Sequence, residues 1–237
     1  MIITRQKPIE QIMGFIESYK KVLVVGCDGC FQPPRSEKEA NILGLLLRLK
    51  NQIKRAGREP LQTVAMTVLR QCDDRIVATA LKPVVRDHDP GAIISMACGI
   101  GVQIMARVLD HVPVFPGQDT LFYGAEMHEK NAYEEYCRAC GDCMLGETAA
   151  ICPVAGCAKS LDNGPCGGTV DGKCEVGNYT KPCAWVEIWE RMRHLGRLDA
   201  FRTFRPPRDH RPATTPGAIK VKDTFPDDGN VLQGQER

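Results

Sequence analysis

The chain has 237 residues, of which 43% are hydrophobic and 25% charged, and its formal net charge is +2. This composition is typical of a globular protein with one or two domains, and the near balance of charge argues against a general nucleic-acid binder. The first residues lack the apolar stretch of a signal peptide, and no apolar run is long enough to span a bilayer. We therefore expect a cytoplasmic protein without membrane insertion.

The first half of the chain alternates predicted helices and strands. An amphipathic helix is predicted over 7–19, and an apolar strand of the kind buried on both faces follows over 21–26. Ser36 and Glu39 can form a capping box for the next helix, and Gly57 is its candidate C-cap. The broad apolar face of that helix is made by Ile42, Leu43, Leu46, Leu47, Leu49 and Ile53.

The same alternation continues to about residue 124. Strands are predicted over 61–68 and 91–97, and helices over 74–87 and 99–109, before a last extended segment over 112–124. Alternating elements of this kind imply a parallel sheet covered by helices. The fold class predicted for residues 1–126 is therefore α/β and Rossmann-like.

Twelve cysteines are the most unusual feature of the chain. In the reducing cytoplasm, closely spaced cysteines bind metal or react more often than they form structural disulfides. An even number of cysteines also fits disulfides, but the repeated two-residue spacings do not. We interpret most of them as thiolate ligands.

Four cysteines follow predicted strands: Cys27, Cys30, Cys72 and Cys98. In parallel sheets, ligands bind beyond the carboxyl ends of the strands, so this topology would bring the four to one rim. The alternative is that they are free cysteines that only fill space. Nearby, Gly99 and Gly101 lack the full dinucleotide-binding pattern, since position 104 is isoleucine. These glycines are expected to allow close packing or to direct amides at the sulfurs of a metal centre.

The other eight cysteines lie within 47 residues that contain many turn signals. They are Cys137, Cys140, Cys143, Cys152, Cys157, Cys166, Cys174 and Cys183. The C-x2-C-x2-C spacing of the first three, which follow a helical turn predicted over 131–136, favours a [4Fe–4S] centre. The Cys152-Pro153 pair comes later and need not belong to that centre. A segment with so little apolar content would depend on bound metal for stability.

Zinc is the main competitor of iron–sulfur in this segment, because it also takes four thiolates and favours C-x-x-C pairs. None of the five histidines has zinc-finger spacing to a cysteine pair, so each is predicted to be a surface residue. For the later cysteines, spacing alone leaves iron–sulfur and zinc open.

A last amphipathic helix is predicted over 184–196, with an apolar stripe of Trp185, Ile188, Trp189 and Met192. From about residue 202 the chain is rich in proline and charge. The predicted organisation is therefore an α/β domain over 1–126, a small irregular Cys-rich metal domain over 127–198, and an extended tail over 199–237.

The segment from Cys137 to Glu190 closely resembles a known family. The residues that carry the resemblance are CRACGDCMLGETAAICPVAGCAKSL, then NGPCGGTVDGKCEV, then CAWVEIWE. They are similar to the C-terminal domain of the iron–sulfur partner subunit of bacterial methylenetetrahydrofolate reductase. The Gly-Cys-x-x-Cys after the first predicted strand also fits that subunit, so the resemblance extends over 20–196 and leaves the tail unexplained.

The resemblance implies a role beside a catalytic subunit that binds FMN and folate and reduces methylenetetrahydrofolate in the Wood–Ljungdahl pathway. This chain would deliver electrons from ferredoxin or heterodisulfide-reductase-like redox subunits. It is too short for its own complete (β/α)8 barrel and has no evident acid–base constellation.

The expected site residues follow from the pattern and the resemblance together. One [4Fe–4S] cluster is expected on Cys27, Cys30, Cys72 and Cys98, and one or two further centres, of which one could be zinc, on the eight later cysteines. The competing interpretations are a zinc-stapled docking subunit without a redox role, a thiol-based redox switch, and a stand-alone enzyme with a nucleotide at Gly99 and Gly101.

Overall fold

The computed structural model describes residues 1–30, 37–54, 59–208, 210–211 and 216–217, without the side chains of 37, 38 and 54. The predicted capping residues Ser36 and Gly57 lie outside the described residues. The chain divides into two compact units, Met1–Tyr136 and Cys137–Arg237.

The first unit contains a parallel sheet with helices on both faces and a separate antiparallel sheet. Its elements in chain order are β1 (Ile2–Gln6), α1 (Ile9–Phe15), β2 (Lys21–Cys27), α2 (Glu37–Lys54), β3 (Gln62–Val68), α3 (Asp74–His88), β4 (Ala92–Ser95), α4 (Gly99–Val108), β5 (Val114–Pro116), β6 (Gln118–Met127) and β7 (Ala132–Cys137). The predicted mixed α/β architecture with a parallel sheet is confirmed.

The parallel sheet has the strand order β3-β2-β4-β5. Successive side chains of β2 point to opposite faces of the sheet, and both faces are covered by helices. This explains why the strand is a continuous apolar run. Val22 and Val24 belong to a cluster of twelve buried residues with α1 and α2. Leu23 and Val25 belong to a cluster of ten buried residues with α3 and α4.

Capping residues fix the ends of α3, which runs within one residue of its predicted bounds. The Asp73 side chain accepts a hydrogen bond of 3.1 Å from the backbone N–H of Ile76, as an N-cap should. At the other end, Asp89 takes the left-handed conformation at φ 45° and donates its N–H to the carbonyl of Val85.

The antiparallel sheet has the order β1-β6-β7, and two of its strands were not expected. The prediction of a helical turn over 131–136 is wrong, because residues 132–136 lie in β7. A 3-10 turn over His128–Lys130 and a left-handed Asn131 (φ 48°) reverse the chain so that it pairs with β6. Strand β1 likewise forms by pairing with a distant segment, with Ile2 opposite Tyr123.

The second unit has little regular structure. Its elements are α5 (Pro153–Gly156), β8 (Thr169–Val170), β9 (Lys173–Cys174), α6 (Ala184–His194) and α7 (Leu198–Phe201). Its core cluster has four buried members, Ala149, Trp185, Ile188 and Met192. Trp189, which the sequence places on the same predicted stripe, is instead 39% exposed, with the Arg193 guanidinium over its ring.

Within the described part of the chain, no helix combines the length and the apolar content needed to cross a membrane.

Candidate metal centres

The carboxyl rim of the parallel sheet carries the first candidate centre. Cys27 is the last residue of β2 and lies opposite Val68, the last residue of the neighbouring β3. On the other side of β2, Val25 pairs with Ser95, the last residue of β4, and Cys98 follows three residues later. Since the carboxyl ends of parallel strands meet at one edge, the loops that carry all four cysteines leave the sheet at the same rim.

The four thiols differ in exposure and influence one another. Cys27 and Cys98 are buried, Cys30 is half-buried and Cys72 is exposed. Burial raises the pKa of the Cys27 thiol, and negative charge on Cys98 and Cys72 raises it further. Burial also raises the pKa of the Cys72 thiol, with a further contribution from Cys30 and Cys98. Cys72 is therefore within electrostatic reach of the other three thiols, and Cys27 is within reach of Cys98.

Backbone amides already face one of these sulfurs. The N–H groups of Gln71 and Gly29 hydrogen-bond to Cys27 and so act to lower the pKa of its thiol, against the larger effect of burial. Hydrogen bonds of this kind stabilise a thiolate and tune a cluster that it binds. The amide of Gly99 has a different partner, because it donates to the Thr120 hydroxyl at 2.8 Å.

Gln71 ties the three rim loops together. Its side chain is fully buried, and its amide nitrogen donates to the carbonyls of Val25 at 3.0 Å and Gly26 at 2.8 Å. Its amide oxygen accepts a hydrogen bond of 2.6 Å from the Ser95 hydroxyl. Gly101 makes room for this side chain, since an added Cβ would lie 2.9 Å from the Gln71 Cβ. The predicted close packing at Gly101 is therefore confirmed.

The described residues contain no group of three or more His, Cys, Asp or Glu side chains arranged to hold a single metal ion. A [4Fe–4S] cluster makes a different demand, because each of its four thiolates binds a different iron atom and the sulfurs are spread around a cube. Four thiols on three loops of one rim are the donor set that such a cluster takes.

In the second unit, the Cys137–Cys143 loop has the backbone shape of a thiolate turn. The N–H of Ala139 donates to the Cys137 sulfur at 3.3 Å, and Ala139 itself has a positive φ of 51°. Gly141, at φ 78°, turns the chain again before the third cysteine. The backbone thus bends within each two-residue spacer, and in the first spacer it aims an amide at a sulfur, as ligand turns do.

A second thiolate turn lies at Cys166, where the N–H of Gly168 donates to the sulfur at 3.5 Å. Hairpin β8–β9 then places Thr169 opposite Cys174. The ladder continues with Cys174 donating its N–H to the carbonyl of Lys181 at 2.9 Å and Cys183 donating to Gly172 at 2.8 Å. Cys174 and Cys183 therefore lie on two paired segments, each opposite a residue two positions away from the other cysteine.

Cys152 and Cys157 flank the single turn of α5, as its N-cap and C-cap. Cys157 and Cys183 both pack, half-buried, on the core cluster of this unit. Close contact between α5 and α6 explains this, since a Cβ added at Gly156 would lie 3.0 Å from that of Ala184. The structure thus brings Cys157 to the same region as Cys183.

A charged pair stands beside Cys166. The Lys159 ammonium forms an ion pair with the Glu175 carboxylate and also hydrogen-bonds to the Cys166 thiol. The thiol lies 3.6 Å from Glu175 Oε1. Glu175 and, to a lesser extent, Cys166 raise the pKa of Lys159, while Lys159 lowers the pKa of Glu175. This arrangement offers a positive charge to a thiolate at Cys166.

The segment around Arg205, after α6, forms hydrogen bonds to two loops of the second unit that carry cysteines. The Arg205 guanidinium donates to Asp142 at 2.7 Å and to Glu147 at 2.8 Å. The Arg205 backbone exchanges two hydrogen bonds with the Asn163 side chain, of 2.8 Å and 3.0 Å. This part of the chain, which we expected to belong to an extended tail, is therefore packed against the second unit.

All five histidines are exposed, which confirms their prediction as surface residues. Sequence reasoning missed Gln71, Lys159, Glu175 and Arg205. The position of Gln71 directly before Cys72 was a signal, since a polar residue between two ligand-bearing segments is well placed to organise them. The other three contact partners distant in sequence, and no local pattern indicates them.

Comparison with known families identifies part of the chain. Residues 115–211 match the family model described as methylene-tetrahydrofolate reductase C terminal. This segment includes the last strands of the first unit and most of the described second unit, with all eight later cysteines. The chain is therefore related through this segment to methylenetetrahydrofolate reductases. Searches of curated proteins and of solved structures found no match.

Proposed function

We propose that the chain is the iron–sulfur electron-transfer subunit of a methylenetetrahydrofolate reductase. It would pass electrons from ferredoxin or another redox subunit to the FMN of the catalytic subunit. The observation that supports the proposal is that the loops with Cys27, Cys30, Cys72 and Cys98 leave one rim of the parallel sheet, in a chain whose other segment is related to these reductases.

At the rim, the protein's own groups would perform three tasks. The four thiolates would hold a [4Fe–4S] cluster, which accepts and releases one electron when bound. The amides of Gln71 and Gly29 would donate to the Cys27 sulfur and make the reduced state easier to reach. The Gln71 side chain would hold the three cysteine-bearing loops in fixed positions relative to one another. Exposed Cys72 leaves the site accessible from solvent, as electron exchange with another protein requires.

The contacts of the second unit support a division of the eight later cysteines into two sets of four. Cys174 and Cys183 lie on paired segments, offset by two positions. Cys157 packs on the same core cluster as Cys183, and the Cys166 thiol lies near Glu175. We propose that these four hold one centre. The remaining set, Cys137, Cys140, Cys143 and Cys152, would hold the other.

The second candidate function is a zinc-stapled docking subunit of the same complex. Its supporting observation is the scarcity of core in the second unit, which fits a structural zinc site with four cysteine ligands as well as it fits a cluster. Anaerobic purification with quantification of iron, acid-labile sulfide and zinc separates the two functions. Iron and sulfide of at least four per chain, with a paramagnetic signal after reduction, support the relay, whereas zinc alone supports the docking subunit.

Two substitutions test the rim assignment. Cys98→Ala should remove one cluster's worth of iron and leave the metal of the second unit intact. Cys98 is buried, so Cys72→Ala provides a second variant whose exposed side chain contributes little to packing. Asp74→Ala, two residues from Cys72, is the matched control and should keep its full iron content. Full iron content in both cysteine variants would refute the rim site.

A further inference from the structure

The residues that follow α7, 202–208 and called here the strap, are attached to the second unit by charged groups. The Arg205 side chain is 14% exposed, and its guanidinium donates to Asp142 at 2.7 Å. The Arg208 side chain is 6% exposed and lies 4.0 Å from both Asp142 and Asp162. Two nearly buried guanidinium groups therefore face carboxylates that come much earlier in the chain.

Apolar packing contributes less to the position of the strap than these charges do. The strap and the segments opposite it line an open cavity of about 730 Å³. Phe204, the largest apolar side chain of the strap, is 75% exposed. Because the strap leaves this space unfilled, its ion pairs and hydrogen bonds must fix its position. A buried charge that loses such partners is costly, so these contacts form or break together.

Arg205 contacts segments that belong to both cysteine sets of the second unit. We call the four cysteines from Cys137 to Cys152 the first set, and the four from Cys157 to Cys183 the second set. Asp142 is flanked by two cysteines of the first set. Asn163 lies three residues before Cys166 in the second set, and its side chain exchanges two hydrogen bonds, of 2.8 Å and 3.0 Å, with the Arg205 backbone.

These contacts require both segments to be in their folded positions at the same time. In a unit with so small a core, binding of metal to a set and folding of its segment are one process. Arg205 makes its full set of bonds only when both segments are folded. Loss of metal at one set therefore deprives the other set of the strap contacts, and binding at the two sets is thermodynamically linked.

We propose that the strap couples the two metal centres of the second unit, so that loss of metal at one centre weakens the other. The inference rests on the proposed function for the two cysteine sets and adds the regulation of those sites. The second unit would gain and lose its metal as a whole, and a chain with only one of these two centres would be rare.

The test uses the full chain, purified anaerobically with its metal. Cys143→Ala, at an exposed position, damages the first set alone. After a chelator is added in excess, iodoacetamide alkylates each thiol that loses its metal. Peptide mass spectrometry then gives the labelling rates of Cys166 and Cys174 in the second set, and the rim residue Cys27 serves as the internal reference.

The same substitution is then made in chains with a weakened strap. Arg205→Met removes the guanidinium that binds Asp142, and Asn163→Ala removes the side chain that binds the Arg205 backbone. Arg202→Met is the matched control, because Arg202 belongs to the same strap but has a side chain that is 84% exposed.

In the unmodified chain, Cys143→Ala should raise the labelling rate of the second set by about fivefold or more. It should have little further effect in the Arg205→Met and Asn163→Ala chains, which already release metal faster, whereas the Arg202→Met chain should respond like the unmodified one. An equal fold-change in all these chains would overturn the coupling, and so would a lack of effect in the unmodified chain. If neither chain with a weakened strap holds metal in the second set, the strap is required for binding itself, and the proposal is also wrong.

The identity of the metal separates this inference from the proposed function. The labelling rates can be measured with iron or with zinc, because removal of either metal leaves free thiols. A chain that contains zinc alone would refute electron transfer and leave the coupling standing. Independent release of iron from the two sets would refute the coupling and leave electron transfer standing.

Discussion

The two units stabilise their structures by different means. The first unit buries clusters of twelve and ten residues on the two faces of one sheet, whereas the core cluster of the second has four members. The second unit also holds most of the described non-glycine residues with positive φ: Ala139, Ala149, Ala150, Ser160, Asp171, Asn178 and Tyr179. Each such conformation costs about 1–3 kcal/mol and persists only where the surroundings enforce it.

The difference indicates what holds each cysteine set in place. In the first unit, an apolar fold positions the rim loops, and a metal centre would be added to a framework that already exists. In the second, the cysteines lie in the strained turns themselves, next to a core too small to enforce them. There, binding of metal and folding should be one process.

Removal of metal should reveal the difference between the two units most clearly. Anaerobic treatment with a chelator should unfold the second unit and leave the first folded, because only the second lacks a sufficient core. Hydrogen exchange with mass spectrometry checks this: α6 should lose protection, while β2 and β4 should keep it. Continued protection of α6 in metal-free protein would show that packing alone maintains the second unit.

A matched pair of core truncations sharpens the same point. Ile188 and Leu81 are both fully buried, one in each unit. Truncation of such a residue to alanine costs about 2–5 kcal/mol. Ile188→Ala should therefore unfold the second unit and release its metal, whereas Leu81→Ala should only lower the melting temperature of the first. Thermal melting with metal analysis distinguishes them, and full metal retention by Ile188→Ala would contradict the expectation.

The sequence predicted the first unit well where the signal was local. The apolar run of β2 and the bounds of α3 both follow from patterns within short windows. It failed at β1, because this strand exists through pairing with β6, up to 121 residues away in the chain, as Ile2 pairs with Tyr123. It also failed at β7, which pairs with β6 after a short turn. Within residues 131–136, neither the alternation of polar and apolar side chains nor the β-propensity of the residues is strong enough to indicate a strand.

Within the second unit, the sequence identified the thiols but not their neighbours. The C-x2-C spacing predicts a thiolate turn, and the amide of Ala139 at the Cys137 sulfur has the geometry that such a turn requires. The grouping of Cys157 with Cys183 depends on the contact of α5 with α6, which no spacing encodes. The same holds for Arg205, whose partners lie 42 to 63 residues earlier.

Loss of the Gln71 side chain should have a smaller effect, confined to the rim. Gln71→Leu would leave the carbonyl of Gly26 and the hydroxyl of Ser95 without this buried partner, at a cost of about 1–3 kcal/mol. The first unit should stay folded with a lower melting temperature and a reduced iron content at the rim. Gln62→Ala, at an exposed position of β3, is the control. Unchanged iron and melting temperature in Gln71→Leu would show that the loops need no such tie.

The smallest expected effect concerns Lys159. Lys159→Met removes the ammonium beside Cys166 without changing a buried contact, so the melting temperature should not change measurably. Groups that contact metal ligands typically alter metal affinity by about 10- to 100-fold, and an exposed ion pair should fall at the lower end. The initial rate of metal release to a chelator should therefore rise by up to about tenfold. Lys181→Met, an exposed lysine in the same unit, is the control.

The pH dependence of this effect follows from the two pKa shifts. Lys159 has a raised pKa, so its contribution is complete below the ordinary lysine value and is lost as pH rises through the raised one. Glu175 has a lowered pKa, so its contribution is complete above the ordinary glutamate value and is lost as pH falls through the lowered one. The difference between the unmodified chain and Lys159→Met should thus stay constant from about pH 5 to pH 10. A difference that disappears between about pH 6 and pH 8 would show that another titrating group, and not this ion pair, protects the Cys166 thiolate.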